Sequence, residues 1–296
     1  YGMITSPDGI NWSQAQNYKV GPKAFKMKNG KTFKGERMER PSVYCNSNGV
    51  PTVFISSYKK GNHTGILTTA VKAQEMASHE ELYTGKEYTN AFSNPIDDPK
   101  LPNVLLIGDS ISIGYTVEVH KRLKGKVDVF RIPTNGRYSA YGLKKLNKWL
   151  GKRKWDLIHF NWGLWDICYR NAKAKTTGSR DKLNGKLTAT PKEYKKNIQN
   201  IVTRLKKTPA KLIWANTTPV PNFEIGRKKG DAQRYNIIAS TIMESNDIQI
   251  NDLHAHALLQ IKEIQKAKGD VHFNKKGYDY LAEKVVKEIL VALEKQ

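Results

Sequence analysis

The sequence predicts an α/β protein built on a parallel sheet, with a smaller β-rich region ahead of it. Three observations carry this. From residue 104 onward, short apolar runs alternate with longer amphipathic stretches, the rhythm of βαβ units. Those runs, such as VLLI at 104–107, are continuously apolar rather than alternating, as strands covered on both faces are. Residues 1–72, by contrast, hold short β-rich segments separated by turn dipeptides.

The elements follow in order. SPDGINW (6–12) sets Asp8-Gly9 in a hairpin-like context. RPSVYCNSNGVPTVFISS (40–57) has β-rich runs at 42–45 and 52–56 around the Asn48-Gly49 turn. Residues 73–100 contain a charged stretch and then SNPIDDP, which reads as a linker. Strands are expected at 104–107, 127–132, 157–161 and 211–216, and helices at 113–123, 140–150, 191–206, 231–245, 254–268 and 277–295. The expected division is therefore a β-rich accessory region at 1–72, a linker at 73–100 and an α/β domain at 101–296.

Composition narrows the function. The 296 residues carry a net charge of +23, and the charge is uneven. The first 100 residues have 13 basic and 9 acidic side chains, whereas the remainder have 37 and 18. Such a field either attracts polyanions or is a lysine-rich solvated surface. No RNP-like, zinc-finger or helix-turn-helix pattern accompanies it, so a specific nucleic-acid partner is not expected. No apolar run reaches the ~20 residues of a membrane span. Two distant cysteines make neither a metal motif nor a disulfide framework. The chain opens on Tyr-Gly, which suggests a mature or trimmed form.

In a parallel sheet the turns after successive strands gather on one edge, where open α/β sheets place their chemistry. Four distinctive stretches fall there or could reach it: GDS (108–110), PTNGRYS (133–139), FNWGLWD (160–166) and GDVHF (269–273). A serine hydroxyl needs an imidazole to accept its proton, a carboxylate to orient that imidazole, and N–H donors for the oxyanion. Ser110, His272, Asp270, Gly136 and Asn161 supply these parts. Trp162 and Trp165 either stack on a sugar ring or belong to the core. Arg137 either meets an anionic substituent or pairs with Asp166, and Asp109 anchors its turn. The turn after 104–107 lacks Gly-x-Gly-x-x-Gly, which disfavours a dinucleotide site, and no Gly-Lys-Ser/Thr is present for a P-loop.

GDSIS, the Gly of TNGRYS, Gly-x-x-Asp within FNWGLWD, and DVHF…GY resemble the sequence blocks of the SGNH hydrolases, the GDSL-like esterases and lipases. The resemblance covers roughly residues 101–296. It implies a flavodoxin-like three-layer α/β/α sandwich and ester hydrolysis without a metal or other cofactor. It makes Ser110 the nucleophile, His272 the base, and the backbone of Ser110 and Gly136 part of the oxyanion hole. There are two departures. The family's third block is usually Gly-x-Asn-Asp, whose Asn donates to the oxyanion; this chain has Trp165 at that position, and Asn161 is the alternative donor. The last block usually reads Asp-x-x-His, whereas Asp270 stands two residues before His272, with Gly269 at the usual place. Residues 1–72 also resemble the last blade of five-bladed β-propeller glycosidases, through SPDGINW and the 40–57 segment.

The expectation is a serine-dependent carbohydrate esterase that removes an acyl group, such as acetyl, from an acidic polysaccharide. Substrate contacts are expected from Arg137, Trp162, Trp165 and Asp166. A sulfate-ester hydrolase using the same serine and histidine, and a non-catalytic module that binds polyanionic glycan, are the alternatives. A glycan substrate would place the protein in the periplasm or outside the cell.

Overall fold

The computed structural model describes residues 2–5, 13–19, 24–26, 32–34, 36–45, 51–70 and 90–294, and divides into two compact units at 1–74 and 75–296. In the first unit β1 (Gly2–Thr5) pairs antiparallel with β2 (Ser13–Lys19), and β3 (Ala24–Lys26) with β4 (Thr32–Lys34). There β5 (Arg37–Cys45), β6 (Pro51–Lys60) and β7 (His63–Ala70) form a three-stranded antiparallel sheet. The two β-rich runs at 42–45 and 52–56 therefore pair as expected, while both anticipated turns, 6–12 and 46–50, lie outside the described residues.

The second unit is built on five parallel strands: β8 (Asn103–Ile107), β9 (Asp128–Arg131), β10 (Leu157–Phe160), β13 (Lys211–Ala215) and β14 (Gln249–Asn251). Their spatial order is β14-β13-β10-β8-β9, all in parallel register. Counted within the sheet alone this is 2-1-3-4-5, the flavodoxin-like arrangement, whose order reverses between β8 and β10. A two-residue hairpin, β11 (Tyr169–Arg170) with β12 (Lys186–Leu187), decorates the segment after β10.

Helices cover both faces. On one side α1 (Ser110–Leu123) packs on α7 (Lys275–Glu294), so closely that a Cβ on Gly114 would sit 2.1 Å from the Tyr278 ring. On the other, α2 (Ser139–Leu150), α3 (Pro191–Leu205) and α4 (Asp231–Glu244) pack in sequence. α3 starts where the sequence says it should, with Pro191 in the first turn and a reciprocal Thr190–Glu193 capping box. Val104–Ile107, Leu157, Ile158, Phe160 and Ile213–Ala215 are essentially buried, which explains their unbroken apolar runs.

Three expectations need correction. The helix expected over 254–268 is two short pieces, α5 (Leu253–Leu258) and α6 (Ile261–Ile264). It ends because Gln265 turns extended to bridge antiparallel to Phe273, a tertiary pairing that no local pattern announces. β14 was absent from the expected strands, since its three residues, two of them half-buried, are too short and mixed to register as a run. Within the expected linker, residues 90–100 lie on the α/β unit: Ala91 is buried against Ile113, and the Asp98 N–H donates to Asp128. Among the described residues no helix is long and apolar enough to cross a membrane.

Candidate active site

β8 delivers the chain to the switch point, and Gly108-Asp109 turns it directly into α1, of which Ser110 is the first residue. Gly108 permits this tight turn: a Cβ there would lie 2.8 Å from Ser112 Oγ. Asp109 caps the helix, accepting the Ile111 N–H at 3.0 Å, so it anchors the turn as expected. Ser110 thus stands at a helix N-terminus, where first-turn N–H groups have no intrahelical acceptor and the dipole favours negative charge.

The turn is clamped from beneath by Arg131, at the end of β9 and 2% exposed. Its Nη2 donates to the Gly108 and Asp109 carbonyls, both at 3.1 Å, and to Ser112 Oγ at 2.6 Å. Its Nη1 donates to the carbonyls of Ile132 and Thr134, at 3.0 and 2.9 Å. One guanidinium therefore ties the Ser110 turn to the loop that carries Gly136. Burial pulls its pKa down to about 10, opposed by Tyr115 and Asp109, so it stays a cation at neutral pH.

Ser110 Oγ lies 2.9 Å from His272 Nε2, and His272 Nδ1 lies 2.6 Å from Asp270 Oδ1. Asp270 Oδ1 also accepts the His272 backbone N–H at 3.0 Å, a turn that the two-residue spacing makes possible. Burial alone would raise the Asp270 carboxyl, but the hydrogen bonds and charge of His272 outweigh it and leave the pKa below the usual carboxylate value. The Gln265–Phe273 bridge and a 2.9 Å bond from Gln265 Nε2 to the Asp270 carbonyl hold this loop from below. Ser110 and His272 are each 1% exposed, so their hydrogen bond lies in a low-dielectric setting. The structure thus brings Ser110, His272 and Asp270 into one chain of hydrogen bonds. Among the described residues no three His, Cys, Asp or Glu side chains converge as a metal site would need.

The other expected residues fall differently. The Gly136 N–H donates to the Gly108 carbonyl at 2.9 Å, so this bond takes the donor expected for the oxyanion. Gly136 is needed for closeness instead, since a Cβ would come 2.7 Å from that same oxygen. Asn161 flanks Gly108, and one hydrogen of its Nδ2 bonds the Ala215 carbonyl at 2.6 Å, which leaves the amide a second donor. Trp162 is fully buried core, its Nε1 donating to the Gly136 carbonyl at 3.1 Å, and offers no face to a sugar. Asp166 is also fully buried: it accepts the Ser139 N–H at 3.0 and 3.1 Å and the Ser139 hydroxyl at 2.5 Å, fixing the start of α2. It is therefore a structural carboxylate rather than a substrate contact, and burial pushes its pKa up to about 7 against the Ser139 bonds. The Arg137 guanidinium lies 5.0 Å from the Tyr141 ring and 6.0 Å from that of Trp165, which is itself 6% exposed.

Arg227 is fully buried, bound to Glu224 and to the Leu164 carbonyl. Two residues escaped sequence reasoning. Arg131 had a signal: it is the one basic side chain in an otherwise apolar strand end, VFRIP. Phe223 had none. It is 51% exposed at φ +69°, and its carbonyl packs on Gly269 beside the Asp270–His272 loop.

Comparison with solved structures gives the same fold. An acetylxylan esterase from Geobacillus stearothermophilus matches with a TM-score of 0.51 at 17% identity, over 64% of this chain and 94% of that one. A lipase/acylhydrolase from Enterococcus faecalis matches at 0.51 and 17%, over 64% and 95%. A GDSL-like lipase from Bacteroides thetaiotaomicron matches at 0.50 and 19%, over 70% and 95%. No family model and no curated relative matches the sequence. The α/β/α fold implied by the SGNH resemblance is the fold observed.

Proposed function

We propose that the protein is a serine-dependent carbohydrate esterase. The observation that carries the reading is the Ser110–His272–Asp270 chain, with bonds of 2.9 and 2.6 Å, set at the point where the strand order reverses. In the first step Ser110 Oγ attacks the ester carbonyl while His272 Nε2 takes its proton. Asp270 holds the imidazole in the tautomer with a proton on Nδ1 and stabilises the cation that forms. The oxyanion meets the Ser110 N–H, the N-terminal dipole of α1 and the second hydrogen of Asn161 Nδ2, while Gly136 shapes the wall beside them. His272 then gives that proton to the departing sugar oxygen, which leaves as a hydroxyl while the acyl group stays on Ser110. In the second half it deprotonates a water, which releases the acid and restores Ser110.

Solved structures that share this fold include proteins described as acetylxylan esterases, which supports an acetylated glycan. The net charge of +23 favours an acidic one. A glycan of this kind lies outside the cytoplasm, which supports a periplasmic or extracellular site of action. A complete acid–base pair favours hydrolysis over a module that only binds polyanions. The test is release of acetate and of sulfate from a panel of acetylated and sulfated polysaccharides, with wild type beside Ser110→Ala. Acetate released by wild type alone supports the esterase. Sulfate released instead moves the substrate class to sulfate esters. No release from any substrate points to the binding module.

A further inference from the structure

Arg137 follows Gly136, whose N–H is bonded to the Gly108 carbonyl two residues before the nucleophile. The loop that carries Arg137 therefore borders the turn that carries Ser110. The Arg137 backbone is unusual: φ is +52°, a region that a side-chain-bearing residue enters at a cost. The Asn135 side chain fixes that conformation by accepting the Arg137 N–H at 2.8 Å. Aromatic rings then hold the guanidinium, with Tyr141 at 5.0 Å and Trp165 at 6.0 Å from its central carbon.

Two carboxylates near this loop could have neutralised it, and neither does. Asp166 is committed to Ser139, and Asp109 caps α1. Among the described residues Arg137 makes no ion pair, and its Nε is buried without a hydrogen-bond partner. With Nε sealed, the two Nη groups are the part of the fork left to meet a ligand. A strained, pre-oriented and unpaired cation on the loop that touches the nucleophile's turn is a feature that folding alone does not require. Lys145, 5.9 Å from the same Tyr141 ring, adds positive potential to this rim.

We propose that Arg137 is the anion subsite of the substrate cleft, binding a carboxylate or sulfate on the glycan next to the ester that Ser110 attacks. The proposal rests on the esterase reading and deepens it by naming what selects the substrate. Guanidinium recognises both anions through paired N–H donors, so the two sources share one chemistry. Arg137 would raise affinity for the charged ring without taking part in proton transfer, and the selectivity would weaken with salt.

The test separates binding from turnover. Ser110→Ala protein is titrated by calorimetry with three unacylated oligosaccharides: an oligogalacturonate, a sulfated galactan fragment and a neutral xylo-oligosaccharide. Expected is tighter binding of one or both charged ligands by about tenfold or more at low salt, the scale of one charge-assisted pair. The arm that binds identifies carboxylate or sulfate. In Ser110→Ala/Arg137→Gln the preference falls toward parity, and Ser110→Ala/Arg137→Lys restores part of it. Equal binding of charged and neutral ligands, or a preference that survives Arg137→Gln in a protein with an unchanged circular dichroism spectrum, overturns the proposal. A preference that depends on Arg137 in a protein whose wild type releases no acid from any substrate would sink the esterase reading and leave the subsite standing. With an active wild type, an Arg137→Gln loss of equal size on acidic and neutral acetylated oligosaccharides, seen in kcat rather than KM, would instead make Arg137 part of the oxyanion machinery.

Discussion

Ser110 Oγ and His272 Nε2 lie 2.9 Å apart although 162 residues separate them in the chain. Two local devices bring about the meeting. One is a glycine-relieved turn that starts α1 on the serine; the other is a loop held by the Gln265–Phe273 bridge. Neither device is expensive in sequence, and both sit at the same edge of the sheet.

Asp270 is expected to act by orienting His272. Asp270→Asn would keep a similar shape but favour the wrong imidazole tautomer. On 4-nitrophenyl acetate kcat should fall by roughly 10²–10⁴-fold, with the melting temperature little changed. A variant with wild-type kcat would show that the backbone, not this carboxylate, holds the ring.

Arg131 is expected to matter for stability and geometry together. Arg131→Met takes one donor from each of the carbonyls of Gly108, Asp109, Ile132 and Thr134, and leaves the Gly108 carbonyl only the Gly136 N–H. Urea unfolding should show a loss of more than about 3 kcal/mol. At temperatures where the variant is folded, kcat should fall more than KM rises, because the turn bearing Ser110 has lost its clamp. An unchanged midpoint would contradict the clamp.

Asp166 gives a pH signature of stability. Its folded pKa, about 7, stands above the ordinary carboxylate value of 3.8. The native state therefore binds this proton more tightly than the unfolded chain does. The stabilisation from that proton is complete below the unfolded value and is lost as pH rises through about 7. Wild type should lose stability between pH 4 and pH 7 relative to Asp166→Asn, in which the titration is gone. Melting temperatures of the two proteins across that range check it, and parallel curves would refute it.

Gly114→Ala tests the packing of α1 on α7. Its Cβ would be 2.1 Å from the Tyr278 ring, so the ring or the helices must move. The expected cost is about 1–3 kcal/mol in chemical denaturation, with a drop in activity because α1 begins at Ser110.

Much of this was legible in the sequence, and the reasons for the rest are physical. The four deeply buried strands announced themselves through unbroken apolar runs, and Gly108-Asp109-Ser110 marked the turn on which the site depends. β14 stayed hidden because an edge strand of three residues carries too little pattern. The expected helix stops after Ile264 because Gln265 turns extended to pair with Phe273, a contact that helical periodicity does not announce. Trp162, beside the third block, and Asp166, within it, looked like cleft residues, yet the side chains of both are buried. Arg131 stood out as the one basic side chain in the apolar strand end VFRIP, but only its burial shows that it clamps the turn.

The central claim is that Ser110 is an activated nucleophile. Its most direct test is exposure of the protein to a fluorophosphonate ester, which captures activated serine hydroxyls, followed by peptide mass spectrometry. The account predicts a single phosphonyl adduct on Ser110, formed at least about 10²-fold more slowly in His272→Ala because the base is gone. An unmodified Ser110 in folded wild-type protein, or labelling that ignores the loss of His272, would contradict it.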